Sequence, residues 1–315
     1  MAEKRESFAA MVLDYICLAF VRAVIGAMYL LPDAAGLAIA RTCIGALRIC
    51  MPRLGAVGMR NLELVFPEKS PDERKQILRE SFDTLARNLQ TYSKIPNLTR
   101  ERAAEMIDYA DGKKLIDSVR AAHPGIGVIL PTLHFGSFEL LVQLQALNDR
   151  PIAFLARGVG LQRVDRWWNI RREMFGNHVF GRRGGYQEMV TRLRDGQEVA
   201  LLFDQNVKSS HACFVDLFGI KAATTRAIAL ASIRTGAPIV FATCIDYRNG
   251  RYELICRSIP SFEELETEER IHRISRALNE RLEEVVRRCP EQWFWIHRRF
   301  KTRPQGEPEN IYQGI

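Results

Sequence analysis

The chain has 315 residues, of which 47% are hydrophobic, so it can bury a sizeable core and is not a wholly disordered protein. Charged residues make up 26%, which excludes a polytopic membrane protein, and 45 basic against 37 acidic residues give a net charge of +8. This surplus predicts an anionic partner: a nucleic acid, a phosphorylated substrate, an acidic protein or an anionic membrane surface. The seven cysteines are scattered without a C-x-x-C pair, so we predict reduced thiols, no metal site and no disulfide framework.

Two apolar stretches near the N-terminus predict membrane association. Residues 8–31 are mostly apolar, but Asp14 and Arg22 make them a poor spanning helix, and the stretch is too long for a cleaved signal peptide. Residues 36–51 carry two arginines seven positions apart, on one helical face, as in a helix that lies in the membrane interface. We predict that residues 1–52 form membrane-anchoring or interfacial helices. Packing as core helices is the alternative, and the sequence leaves open whether the segment spans the bilayer.

A single α/β domain is predicted for residues 53–315. Ser70 and Glu73 form a capping-box pattern at the start of a helix over 71–93. From residue 125, short apolar runs alternate with helical stretches, which predicts an α/β fold with a mixed, mostly parallel sheet flanked by helices. An Asn-Gly turn between the last two predicted strands makes that pair antiparallel. The predicted strands are 126–130, 151–156, 179–180, 198–203, 237–245 and 251–257. The predicted helices among them are 136–147, 162–175, 186–194, 224–235 and 263–289.

The loop after the first predicted strand carries the first candidate site. Ligands bind beyond the carboxyl ends of strands in such sheets, and this loop contains His134, five positions before Glu139. With His134 in the loop and Glu139 in the first helical turn, the carboxylate can fix one imidazole nitrogen while the other removes a proton from a substrate hydroxyl. The alternative is an isolated loop histidine and a glutamate that the helix dipole favours.

Residues 157–194 form a segment rich in arginine. It has nine arginines, no lysine and three acidic residues, for a net charge of +6. The planar guanidinium group suits bidentate binding of phosphate and carboxylate, so we predict anion recognition here; a solvated surface is the alternative. The arginines are 157, 163, 166, 171, 172, 182, 183, 192 and 194.

Two further segments carry candidate polar contacts. The strand ending at Phe203 is followed by Asp204 and Gln205, at the edge where a ligand is expected, although an aspartate capping a turn is the alternative. Residues 292–304 mix aromatic side chains with four basic residues and no acidic one, which predicts contact with a membrane interface. An RNA-binding role is less favoured because no RNP, KH or zinc-knuckle pattern accompanies the segment.

Together these motifs resemble those of the lipid A biosynthesis acyltransferase family, over nearly the whole chain. The resemblance rests on the apolar N-terminus and on an ordered set of motifs. They are Arg60-Asn-Leu-Glu-Leu-Val-Phe-Pro67, His134-x4-Glu139, Asp204-Gln205, Phe218-Gly219 with Thr224, and Trp293-Phe-Trp-Ile-His-Arg-Arg-Phe-Lys301.

The resemblance implies transfer of a fatty acyl chain from acyl carrier protein to a hydroxyl of a phosphorylated lipid A precursor. The reaction would take place on the cytoplasmic side of the bacterial inner membrane, without a cofactor and without a nucleic acid partner. By the same resemblance, His134 is the general base, Glu139 is its orienting partner, and Asp204 is a further site residue.

The remaining site residues implied by the resemblance bind substrate. Arg171 lies 32 residues after Glu139, a spacing similar to that of the family's site arginine, and its neighbour Arg172 is the rival. Gln205, beside Asp204, and Arg157, the first arginine of the arginine-rich segment, are also predicted to bind substrate.

One departure from the family pattern keeps other readings open. The family box usually reads His-x-Gly-Asn-Trp-Glu, whereas this chain has Ser137-Phe138 in place of Asn-Trp. An acyltransferase for a lysophospholipid or another glycolipid, using acyl-CoA, is one alternative. A basic RNA-binding or membrane-binding protein without enzymatic activity is another.

Overall fold

The computed structural model describes residues 8–308 and 311–315. Four helices come first: α1 (Phe8–Leu30), α2 (Asp33–Cys50), α3 (Pro52–Val65) and α4 (Pro71–Lys94). The predicted capping box at the start of α4 is confirmed, since the Ser70 hydroxyl accepts from the Glu73 amide and the Glu73 carboxylate accepts from the Ser70 amide. Two helices, α5 (Arg100–Met106) and α6 (Ala110–Ala122), lead into the sheet.

The predicted mixed, mostly parallel sheet is confirmed. Its strands are β1 (Ile129–Thr132), β2 (Ala153–Leu155), β3 (His178–Phe180), β4 (Val199–Leu202), β7 (Ile239–Asp246) and β8 (Tyr252–Ile259). They lie in the order β3-β2-β4-β1-β7-β8, and all neighbours are parallel except β7 and β8. The flanking helices are α7 (Phe138–Leu147), α8 (Gln162–Arg172), α9 (Gly185–Arg194), α10 (Ala227–Thr235) and α11 (Thr267–Arg288).

The predicted start of a helix at residue 224 is wrong. Residues 223–225 belong to a second, two-stranded sheet formed by β5 (Ala212–Leu217) and β6 (Ile220–Thr225), and α10 begins only at Ala227. Both turn residues between these strands have positive φ, 53° at Phe218 and 76° at Gly219. Such a turn matches the twist of a tight hairpin and directs the chain back along itself.

Helix α1 is long and apolar enough to cross a membrane by length and composition, a test that signal sequences and core helices of soluble proteins also pass. Only 11% of its most apolar window is buried, and large side chains such as Phe8 and Phe20 are exposed. Helices α2 and α3 meet the same criterion only as a pair bent by 90°.

The N-terminal helices pack on the rest of the chain along α4. Ile25 and Met28 of α1 and Ala40 of α2 share a buried cluster with Tyr92 of α4 and Ile95. Asp14, which argued against a membrane span in the sequence, is buried within α1, where its carboxylate accepts hydrogen bonds from the backbone and side chain of Arg163 in α8. The division of the chain at residue 52 stays a prediction.

Residues 293–301, which we call the C-terminal segment, place four of their side chains inside the protein. Trp293, Trp295, Arg299 and Phe300 are each at most 4% exposed, so the prediction that the aromatic and basic side chains here contact a membrane interface is wrong for these four. The segment crosses the loop after β1, where Phe135 pairs with Trp293 and the Phe294 amide donates to the His134 carbonyl. Burial of the indoles beside the sheet explains the difference, because it removes the same apolar area from water as a lipid interface would.

Candidate active site

The site begins at the carboxyl ends of the adjacent parallel strands β1 and β4. Thr132 and Leu202 are register partners, so the residues two positions further on, His134 and Asp204, lie next to each other. Oδ1 of Asp204 accepts from Nδ1 of His134 at 2.8 Å, and Oδ2 accepts from the His134 amide at 3.0 Å. The imidazole is partly accessible, with 18% of the side chain exposed, whereas the carboxylate is buried.

The glycine within the His134-x4-Glu139 motif turns the chain from β1 into α7. Gly136 has a φ of +52°, its amide donates to the Gln292 carbonyl, and a Cβ at this position would collide with the Cys244 carbonyl. A residue with a side chain is therefore disfavoured here both by conformation and by space. This turn lets His134 remain in the loop while Glu139 enters the first turn of α7.

Asp204 is an ionised carboxylate surrounded by donors. In addition to the two donors of His134, the indole Nε1–H of Trp293 donates to Oδ2 at 2.9 Å. Burial by itself would raise the pKa of this carboxyl group, but the contacts with His134 and Trp293 outweigh it and lower the pKa below its usual value. An ionised Asp204 keeps a proton on Nδ1 of His134, which leaves the lone pair of a neutral imidazole on Nε2.

Glu139 does not contact His134; it pairs with Arg172 instead. The guanidinium of Arg172 binds the carboxylate through both Nε, at 3.1 Å, and Nη2. Helix α7 packs against α8, which brings Glu139 to the C-terminal turn of α8, while the position on the imidazole is taken by Asp204 from the neighbouring strand. The carboxylate that contacts His134 is thus that of Asp204 and not that of Glu139. A role for Glu139 in the reaction stays a prediction.

The two candidate arginines at the end of α8 have different surroundings. Arg171 donates to the backbone carbonyls of Tyr92 and Ser93, and its guanidinium lies 5.2 Å from the Tyr92 ring and 5.1 Å from the Trp167 ring. These contacts tie α8 to α4. Arg172, the rival of Arg171 in the sequence, is the one that binds Glu139.

The arginine-rich segment is not one uniform patch. Arg163 pairs with Asp14, and Arg192 pairs with Glu188 in its own helix. Arg157 is exposed in the loop after β2, the strand next to β4, and its positive charge contributes to lowering the pKa of His297. Arg157 therefore lies at the same edge of the sheet as His134.

The loop after β4 is held by hydrogen bonds between Asn206 and two residues near the C-terminus, His297 and Thr302. The Asn206 amide donates to Nε2 of His297 at 3.0 Å, and the Asn206 side chain exchanges two hydrogen bonds with Thr302. Burial, with smaller effects of nearby cations, lowers the pKa of His297 to about 4, so its ring is neutral near pH 7 and accepts this bond. In the same loop, Nε2 of Gln205 lies 3.3 Å from Nε2 of His134.

The two residues that depart from the family box are placed differently. Phe138 packs its ring against the imidazole of His134, with centroids 5.2 Å apart. Ser137 is buried, and its hydroxyl donates to the side-chain oxygen of Asn88 at 3.0 Å. Only Phe138 is therefore in contact with the imidazole.

Within residues 8–308 and 311–315, no group of three histidine, cysteine, aspartate or glutamate side chains is arranged to hold a metal ion. An imidazole oriented by a buried carboxylate, at the carboxyl edge of an α/β sheet, is an arrangement that enzymes use to take a proton from a hydroxyl group. The fold and the site therefore fit a group-transfer or hydrolytic enzyme of the α/β class.

Comparison with known proteins gives the family. Residues 4–302 match the family of bacterial lipid A biosynthesis acyltransferases, and the chain belongs to it. The chain is 30% identical over 271 residues to the lipid A biosynthesis palmitoleoyltransferase of Escherichia coli, which covers 84% of this chain and 85% of that protein. It is 28% identical to the myristoyltransferase (81% and 79%) and to the lauroyltransferase (82% of each) of the same organism. The protein is an acyltransferase of lipid A biosynthesis.

Proposed function

We propose that this acyltransferase moves a fatty acyl chain from the thioester of acyl carrier protein to a hydroxyl of a phosphorylated lipid A precursor, with His134 as the general base. The single observation that supports this mechanism most is the 2.8 Å contact between Nδ1 of His134 and Asp204 at the carboxyl edge of the sheet. It leaves Nε2 as the proton acceptor on a partly accessible imidazole.

The chemistry follows from that geometry. Nε2 of His134 takes the proton of the acceptor hydroxyl as its oxygen attacks the thioester carbonyl carbon. The negative charge that develops on the carbonyl oxygen requires nearby hydrogen-bond donors. Collapse of the tetrahedral intermediate breaks the carbon–sulfur bond, and the imidazolium returns its proton to the leaving thiolate. Asp204 stabilises the imidazolium while it carries the extra proton.

The substrate-binding roles are assigned by position. The amide of Gln205 lies 3.3 Å from Nε2 of His134, where it can contact the reacting groups. Arg157 is exposed at the same edge and provides positive charge for a phosphorylated acceptor. Arg172 fixes Glu139 at the start of α7, and Arg171 anchors α8 to α4, so these three shape the wall of the site rather than supplying the base.

We place the enzyme at the bacterial inner membrane with its site on the cytoplasmic side. The exposed apolar surface of α1 supports a membrane location. The contact between Asp14 and Arg163 attaches α1 to α8, the helix that ends at Arg172. An acyl carrier protein donor requires the cytoplasmic side, where that protein is found.

Expression in a bacterial strain that lacks its late lipid A acyltransferases, followed by mass spectrometry of lipid A, tests the function. We expect one additional acyl chain per molecule with the native protein and none with His134→Ala, at equal amounts of folded protein. The purified enzyme should use acyl-carrier-protein thioesters in preference to acyl-CoA, and the lipid A precursor in preference to a lysophospholipid. An unchanged lipid A, or an active His134→Ala variant, would overturn the proposal.

A further inference from the structure

The C-terminal segment contacts the pair formed by His134 and Asp204 through the indole of Trp293. Nε1 of Trp293 donates to Oδ2 of Asp204 at 2.9 Å, and both residues are at most 4% exposed. The same oxygen accepts from the His134 amide, while Oδ1 faces the imidazole. Three donors from two distant parts of the chain therefore surround one buried carboxylate.

We propose that Trp293 is a positioning residue, whose indole N–H fixes the rotation of the Asp204 carboxylate so that Oδ1 keeps the proton of His134 on Nδ1. This inference rests on the proposed function, in which Nε2 of His134 is the base. A carboxylate turns freely about its Cβ–Cγ bond unless both oxygens are held, and here the indole and the backbone amide hold Oδ2. The indole N–H only donates and does not titrate, so it stabilises the ionised carboxylate alone.

The indole ring itself is held in place. Its centroid lies 4.7 Å from that of Trp295 in an edge-to-face contact and 6.3 Å from that of Phe218. The Trp293 backbone pairs with Phe135 beside the loop that carries His134. A donor on a ring fixed in this way directs its hydrogen bond more strictly than a flexible amide or hydroxyl would.

Few charges face Asp204 from the surrounding elements. His134 contacts it directly, and His297 and Arg299 of the C-terminal segment act on it through space. His297 is neutral near pH 7, and Arg299 is a buried cation that donates to the Ala223 carbonyl and the Thr224 hydroxyl. Loss of the indole donor should therefore be visible in the titration of the His134–Asp204 pair.

The test compares Trp293→Phe with Trp168→Phe in steady-state assays of acyl transfer across a range of pH. The control also removes an indole, but one in α8 whose ring stacks on that of Tyr92 in α4, with centroids 4.2 Å apart. For Trp293→Phe we expect kcat to fall about 10- to 100-fold with little change in KM, because a hydrogen bond to a charged group is lost. The acid limb of the pH profile should move to higher pH. A carboxylate that has lost one donor is more basic, so the pair of His134 and Asp204 binds its proton more tightly. The control should keep the native limb.

Incorporation of benzothienylalanine at position 293 covers the case in which Trp293→Phe does not fold. This analogue keeps both fused rings and replaces only the N–H by sulfur, so it should reproduce the loss of kcat and the shift of the acid limb. A native profile from either folded variant overturns the inference. His134→Ala in the same assay separates the two proposals: if it is inactive while the position-293 variants are native, only the role of Trp293 fails, and if it is active, the proposed function fails.

Discussion

Asp204 accepts hydrogen bonds from both the imidazole and the backbone amide of His134, although 70 positions separate the two residues. The pairing arises because β1 and β4 are adjacent and parallel and end at the same edge of the sheet. A double contact of this kind fixes both the ring orientation and its tautomer.

Substitution Asp204→Asn should remove most of the acyl transfer. An amide in place of the carboxylate can donate to Nδ1, which favours the tautomer with the proton on Nε2 and so removes the base. We expect kcat to fall about 10³- to 10⁴-fold at neutral pH, measured with the purified enzyme on its acyl donor and acceptor. Circular dichroism checks that the variant is folded. A loss of less than tenfold in a folded variant would contradict the orienting role of Asp204.

Glu139 and Arg172 should act as one unit. Their side chains are 19% and 17% exposed, so the removal of either leaves the other as a poorly solvated charge. We expect the free energy of unfolding of Glu139→Gln/Arg172→Gln to be lowered by less than the sum of the two single losses, with a coupling of about 0.5–3 kcal/mol. Denaturant titration of the four proteins measures this quantity. Additive losses would indicate that the pair contributes no interaction of its own, and Arg171→Gln combined with Glu139→Gln serves as the uncoupled comparison.

The buried carboxylate of α1 should contribute to the attachment of that helix. Asp14→Ala removes the acceptor of two Arg163 donors, and we expect the free energy of unfolding to fall by about 1–3 kcal/mol. Thermal melting in one detergent compares it with Asp33→Ala, whose carboxylate is 87% exposed and lies 3.5 Å from Lys94. Equal melting temperatures for the two variants would argue against the attachment.

His297 should make the protein less stable in acid. Because burial lowers its pKa to about 4 in the folded protein, against about 6.5 when unfolded, the neutral ring contributes its full stability above about pH 6.5 and loses it as the pH falls towards 4. The contribution amounts to about 3 kcal/mol. His297→Gln keeps an acceptor for the Asn206 amide but does not titrate, so its melting temperature should depend less on pH between 4 and 7. Parallel curves for both proteins would rule out this role.

The local sequence was sufficient to predict the elements of the main sheet. Apolar runs and their flanking breaks predicted the six strands of the main sheet to within a few residues, and a capping box marked the start of α4. These features depend on neighbours in the chain, since strand and helix signals are read over windows of a few residues. The hairpin of β5 and β6 was missed because its turn, Phe218-Gly219, requires positive φ at a phenylalanine, which composition does not signal.

Tertiary structure decided which carboxylate meets the imidazole. Spacing in the sequence favoured Glu139, five residues from His134. The strand order instead places Asp204 beside the imidazole, and the packing of α7 on α8 pairs Glu139 with Arg172. It also decided the place of Trp293. The aromatic and basic residues next to it in the sequence suggest a membrane surface, but the tertiary structure buries its side chain. Composition records that an indole leaves water, but only the packing determines whether it enters a bilayer or the core, because both environments remove the same apolar area.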